Sequence, residues 1–142
     1  MKVLVMCLGN ICRSPAGEAA LRAAAPEWEI DSAGLGDWHA GDPPYRPMQD
    51  AARVEGLDLS EQTARRIAAD DFYKYDLILA MDRRVLSELA KMRPDDGTAD
   101  IRLFDRDDVP DPYYTRDFSG AMDQIMAAAR RIVSDRTALL RR

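Results

Sequence analysis

The chain reads as an α/β domain: a four-stranded parallel sheet with helices on both faces, doubly wound and Rossmann-like. Three observations predict this. Short apolar runs alternate with helical segments in the order strand, helix, repeated four times. The strand runs are apolar at consecutive positions, the mark of burial on both faces. The chain has 142 residues and no internal repeat, linker or low-complexity tract, which fits a single domain over 1–142.

Residues 2–6 (Lys-Val-Leu-Val-Met) form the first strand. Ser14-Pro15 offers a helix start, with Ser at the N-cap and Pro at the first helical position. Residues 16–25, rich in Ala, Leu and Glu, carry that helix to Pro26. Residues 28–33 read as the second strand. Pro43-Pro44 marks a loop, and 48–54 a helix that stops near Gly56. A further short helix is expected over 64–73. Residues 75–81, centred on Leu77-Ile78-Leu79, form the third strand. Arg83–Met92 is helical until Pro94, and 101–104 is the fourth strand. Residues 117–140 place Phe118, Met122, Ile125, Met126, Ala129, Ile132 and Val133 on one helical face. The closing Arg141-Arg142 is expected to be solvated.

Composition narrows the function. Twenty Lys and Arg against 25 Asp and Glu leave a charge of −5, which argues against a nucleic-acid partner. The longest charge-free run is ten residues, 3–12. A membrane helix needs about 20. Two cysteines do not make a disulfide scaffold, and the N-terminus enters a strand pattern with no signal-peptide core. A cytoplasmic protein is the expectation, as a monomer or weak dimer.

In a doubly wound sheet, ligands sit beyond the carboxyl ends of strands where strand order reverses. The first such end is Cys7, opening Cys7-Leu8-Gly9-Asn10-Ile11-Cys12-Arg13-Ser14. A short loop between a strand and a helix N-terminus can turn its backbone N–H groups inward and cradle an anion. Gly9 and Asn10 tolerate the positive φ that a tight loop needs. Arg13 supplies a planar fork for two phosphate oxygens. A thiol in such a field ionises easily, and the Ser14 hydroxyl can donate to the thiolate. Read alone, each cysteine is more often a small core residue; strand, Gly-Asn, Arg and Ser-Pro in this order favour a nucleophile facing a phosphate-shaped hole. No metal site is expected, since two cysteines four apart lack further ligands and His39 is the single histidine. No cofactor is expected either, because the nucleotide-binding glycine fingerprints are absent.

Expelling an alkoxide or phenolate from phosphorus needs a general acid. Asp111, in Val-Pro-Asp-Pro-Tyr-Tyr after the fourth strand, would reach the same sheet edge as Cys7. Residues 95–111 hold seven Asp and two Arg, and such crowding helps a carboxyl keep its proton while Arg13 opposes it. Most Asp-Pro pairs are surface turns; the need for an acid is what singles out this one.

Together these residues resemble the low-molecular-weight protein tyrosine phosphatases across nearly the whole chain. The matching segments are 7–15, Asp31-Ser32-Ala33-Gly34, Ala64-Arg65, Met81-Asp82 and Asp111-Pro112-Tyr113-Tyr114. The resemblance implies Cys7 as nucleophile, Arg13 as phosphate clamp, and Asp111 as general acid and then base. It implies a phosphate loop built from Leu8, Gly9, Asn10, Ile11, Cys12, Arg13 and Ser14. Asn10, Ser14 and Ser32 would support that loop, and Ile11, Trp38, Tyr113 and Tyr114 would line a slot for an aromatic ring. Cys12 would form a reversible disulfide with Cys7 under oxidation. The implied partners are a phosphotyrosine protein substrate and phosphate or another oxyanion, with no membrane and no nucleic acid.

Three positions depart from the pattern. Gln62 stands where many members have histidine, Arg66 replaces a common glutamine and Val85 a common asparagine. His39 reads as a surface residue. Two other functions remain open: a protein-arginine phosphatase on the same fold, and a phosphotyrosine-binding module without catalysis. Ile11, Tyr113 and Tyr114 favour phosphotyrosine over phosphoarginine. An arsenate reductase would need two more cysteines downstream of Cys12, and there are none.

Overall fold

The structure, a computed structural model, describes residues 1–140, with side chains through residue 136. Arg141 and Arg142 lie outside the described residues. Four strands, β1 (Lys2–Cys7), β2 (Glu29–Gly34), β3 (Leu77–Ala80) and β4 (Asp100–Leu103), form one sheet in the order β2-β1-β3-β4. Every pairing is parallel. The chain moves one way from β1 to β2 and the other way from β3 to β4, so the sheet reverses between β1 and β3. The expected doubly wound sheet is therefore present, with its switch point beside Cys7.

The pleat of β1 sorts its side chains between two cores. Val3, Val5 and Cys7 face one core with α1 (Arg13–Ala24), α2 (Arg46–Val54) and α6 (Phe118–Leu140). Leu4 and Met6 face the other, with Phe72 of the one-turn α3 (Asp71–Lys74) and Val85 and Leu89 of α4 (Arg83–Met92). Burial on both faces explains the consecutive apolar residues of β1. No described helix is long and apolar enough to cross a membrane.

Two local expectations are corrected. Of the expected 64–73 helix only residues 71–73 are helical, in the single turn Asp71–Lys74. Residues 64–67 run extended along β2 instead: Gly34 N–H donates to the Arg65 carbonyl (2.8 Å) and Ile67 N–H to the Gly34 carbonyl (2.9 Å). An open sheet edge with free backbone groups outweighs a weak helical preference. Helix α1 begins at Arg13, with Cys12 at its N-cap and no side-chain cap. Ser14 is therefore inside the helix, and its hydroxyl is free for the site.

Candidate active site

Residues 8–12 wrap from the end of β1 into α1. Their carbonyls are turned outward by neighbours. Leu35 N–H donates to the carbonyls of Cys7 (3.1 Å) and Leu8 (3.0 Å), and Tyr45 N–H to that of Ile11 (2.8 Å). Asn10 N–H points inward to Cys7 Sγ (3.3 Å). Among the described residues, no protein acceptor takes the N–H of Leu8, Gly9, Ile11, Cys12, Arg13 or Ser14. A ring of unpaired donors at a helix N-terminus is an anion cradle. Asn10 has φ +59°, as expected. Gly9 does not take positive φ; it is small because a Cβ there would lie 3.1 Å from the His39 ring. Gly34, beneath the loop, would put a Cβ 2.9 Å from the Leu8 carbonyl.

A buried chain of hydrogen bonds sets the thiol. Ser32 Oγ donates to Glu18 Oε1 (2.7 Å). Asn10 Nδ2 donates to Ser32 Oγ (3.0 Å) and to Ser14 Oγ (2.8 Å), while Asn10 Oδ1 accepts Arg65 N–H (3.0 Å). Ser14 Oγ, which accepts from Asn10, lies 2.9 Å from Cys7 Sγ and 3.5 Å from the Ala33 carbonyl, so its proton can turn to the sulfur when the thiol is ionised. Glu18 ends this chain, 3% exposed and paired with Arg22 at 2.9 Å. Burial raises its pKa, against Ser32 and Arg22, which lower it. The one sequence signal for Glu18 is that Ser14, Glu18 and Arg22 recur at the four-residue spacing of one helix face. Gln62 does not join the chain. Its amide donates to the Pro15 carbonyl (2.9 Å), and its buried oxygen has no partner.

Arg13 is 3% exposed and held from two sides. Its Nη1 donates to Asp82 Oδ2 (2.6 Å) and to the Val109 carbonyl (2.9 Å), and Nη2 lies 3.6 Å from Asp111 Oδ2. Burial works against its charge, but Cys7, Asp82 and Asp111 together outweigh it and raise its pKa. Asp82 also caps α4, accepting Val85 N–H (2.8 Å). Burial opposes ionisation of Asp82, yet Arg13 and the Val85 N–H hold it below the usual carboxylate range. The Val85 departure is harmless to this cap, because only its backbone is used. Arg66 is exposed, and its backbone bridges to Gly34. Asp82 and Val109 were legible as strand-end and loop positions but not as the arginine's partners.

Asp111 is the N-cap of the one-turn α5 (Pro112–Thr115): its Oδ1 accepts Tyr113 N–H (3.1 Å), leaving Oδ2 toward Arg13. Three of the six other aspartates of 95–111 are paired with cations of their own. Asp100 pairs with Arg102 (2.6 Å), Asp105 with Arg131 (2.8 Å) and Asp108 with Arg83 (3.5 Å). Surface carboxylates close in sequence find nearer cations of their own.

Cys7, Leu8, Gly9, Ile11, Cys12, Trp38, His39, Asp111, Tyr113 and Tyr114 line one cleft of about 350 Å³. Trp38 and Tyr114 stand 67% and 72% exposed at its mouth, and Tyr113 packs edge-on against Tyr114 with centroids 5.3 Å apart. Exposed aromatic rings around a polar floor suit a planar ligand. His39 is a surface residue, as expected, and it also lines this cleft; its Nδ1 lies 3.5 Å from Asp42. Both cysteines are free and buried, and burial, reinforced by Cys7, pushes the Cys12 thiol well above its ordinary range.

A thiol over a ring of backbone donors, with a buried arginine and a carboxyl opposite, defines the class of cysteine-dependent phosphatases. Residues 2–141 match the family profile described as low molecular weight phosphotyrosine protein phosphatase. A low molecular weight protein-tyrosine-phosphatase of Bacillus subtilis, YfkJ, is 35% identical over 94% of this chain and 94% of its own. PtpA of Staphylococcus aureus, named likewise, is 30% identical over 92% of this chain and 90% of its own. The crystal structure of a Drosophila arginine phosphatase superposes with a TM-score of 0.89 at 33% identity, covering 95% of this chain and 97% of that one. The chain belongs to the low molecular weight phosphotyrosine protein phosphatase family.

Proposed function

We propose that the chain hydrolyses phosphotyrosine in proteins through a cysteinyl-phosphate. The observation that carries this is the cleft itself: Cys7 Sγ, the unpaired N–H ring and Asp111 share one floor, and Trp38, Tyr113 and Tyr114 wall it. Cys7 Sγ attacks phosphorus, the phosphorus–phenolate bond breaks, and Asp111 gives its proton to the leaving oxygen. Asp111 then takes a proton from water as that water attacks phosphorus. The sulfur–phosphorus bond breaks, and the Ser14 hydroxyl stabilises the returning thiolate. Leu8, Gly9, Asn10, Ile11, Cys12, Arg13 and Ser14 hold the equatorial oxygens, while Asn10, Ser14 and Ser32 hold the loop. Arg13 and the backbone donors meet the charge of the transition state.

The test is Cys7→Ser. Turnover should vanish while inorganic phosphate still binds by calorimetry; near-native activity of this variant would end the proposal. The Drosophila relative favours one second reading, a protein-arginine phosphatase. Ile11, Tyr113 and Tyr114 make an apolar aromatic slot and argue for phosphotyrosine. A cytoplasmic setting and reversible oxidation complete the reading, with Cys12 reached by Cys7 after peroxide forms a sulfenic acid and water leaves on disulfide closure.

A further inference from the structure

Arg116 follows α5 with φ +64°, in the left-handed region that non-glycine residues occupy at a cost. Such strain persists where the surroundings fix the residue. Here its guanidinium turns back onto the loop. Cζ lies 5.5 Å from the Tyr45 ring centroid and 5.0 Å from that of Phe118. Nη1 donates to Tyr45 Oη (3.1 Å) and to the Tyr113 carbonyl (3.4 Å). Tyr45 in turn packs on Tyr113, centroids 5.3 Å apart, and its backbone N–H holds the Ile11 carbonyl of the phosphate loop at 2.8 Å. The loop bearing Asp111 is thus tied down twice: at its start by Val109 on Arg13, and at its end by Arg116 on Tyr45.

We propose that Arg116 is a positioning residue for the reaction, latching the 111–118 loop onto Tyr45 so that the Asp111 carboxyl stays over Cys7. This rests on Asp111 being the general acid. Proton transfer requires the acid within hydrogen-bond reach of the leaving oxygen, and a displacement of about 1 Å is costly. The contacts of the Arg116 side chain run to Tyr45, Tyr113 and Phe118; its charge also reaches Cys12 in the cleft, an effect that is the same for every leaving group.

The readout is kcat/KM over aryl phosphates whose leaving groups run from dinitrophenol, which departs unaided, to phenol, which needs the proton. Arg116→Gly removes the latch and relieves the backbone, so it is expected to fold with a Tm near that of the parent. It should lose about tenfold on phenyl phosphate and far less on dinitrophenyl phosphate. Arg116→Lys keeps a cation over the rings and should recover part of the loss. Asp111→Asn, run beside them, should show the steepest dependence on the leaving group. A flat profile for Arg116→Gly next to a steep one for Asp111→Asn overturns the latch alone. A flat profile for Asp111→Asn overturns the acid assignment and the latch with it.

Discussion

Replacing Asp82 by alanine separates the two tasks this side chain performs. Oδ2 holds the buried Arg13 at 2.6 Å, and Oδ1 caps α4 at 2.8 Å. Removing one partner of a buried ion pair costs about 3–5 kcal/mol. The lower end applies here, because Asp111 remains 3.6 Å from the guanidinium and Val109 still accepts from it. Loss of the cap adds about 1 kcal/mol. The sum is about 4 kcal/mol. An unfolding entropy of about 2.1 cal/mol/K per residue over 142 residues gives about 0.3 kcal/mol/K. The expected fall in Tm is therefore about 13 °C. Asp82→Asn offers one carbonyl oxygen in place of two, so it should fall between the parent and Asp82→Ala.

The pH dependence gives an independent check. The folded-state pKa of Asp82 is depressed, so its contribution is present above the ordinary aspartate value of about 3.9 and is lost as pH falls through the folded value. Urea unfolding followed by Trp28 fluorescence should show a gap between parent and Asp82→Ala that is full at pH 7 and closes toward pH 2. A gap under about 1 kcal/mol at pH 7, or one that is unchanged in acid, would refute the reasoning.

Other outcomes follow from the same network. Asn10→Ala deletes two buried donors, one acceptor and a side chain suited to φ +59°, and should cost about 3 kcal/mol by urea titration, with Asn10→Gly recovering about 1 kcal/mol. Glu18 has a raised folded-state pKa, so the folded chain holds its proton more tightly. Parent stability should decline as pH rises from the ordinary glutamate value through the raised one, and Glu18→Gln should lack that decline; parallel curves for the two proteins would sink this. Peroxide should inactivate the parent reversibly, with thiol restoring activity, while Cys12→Ser should recover poorly; equal recovery would remove Cys12 from that role.

The sheet and the phosphate loop were legible because their signals are local. The consecutive apolar residues of β1 announce burial on both faces, and Gly-Asn before Arg and Ser-Pro announces a tight turn into a helix. Local preference gives way where tertiary partners outweigh it. Residues 64–67 became an extended strip because β2 had an open edge, and Ser14 gave up a capping role for the thiol. Glu18 and Asp82 were missed as site residues because their roles depend on what the fold sets beside them, and neither Ser32 nor Arg13 is near its partner in sequence. His39 joins the cleft only because the 35–42 loop folds over Gly9. Arg116 carries no signal in the sequence beyond its charge, since its role lies in a backbone angle and in two aromatic rings that the fold supplies.

The central claim is that phosphate passes through Cys7. Reduced protein, with EDTA present, would be mixed with a phosphotyrosine peptide, quenched within the first turnovers and digested for mass spectrometry. The account predicts one phosphoryl group on the peptide containing Cys7, absent when a phosphoarginine peptide of the same sequence is supplied. Rapid phosphate release with no phosphorylated Cys7, or with the phosphoryl group on another residue, would contradict it.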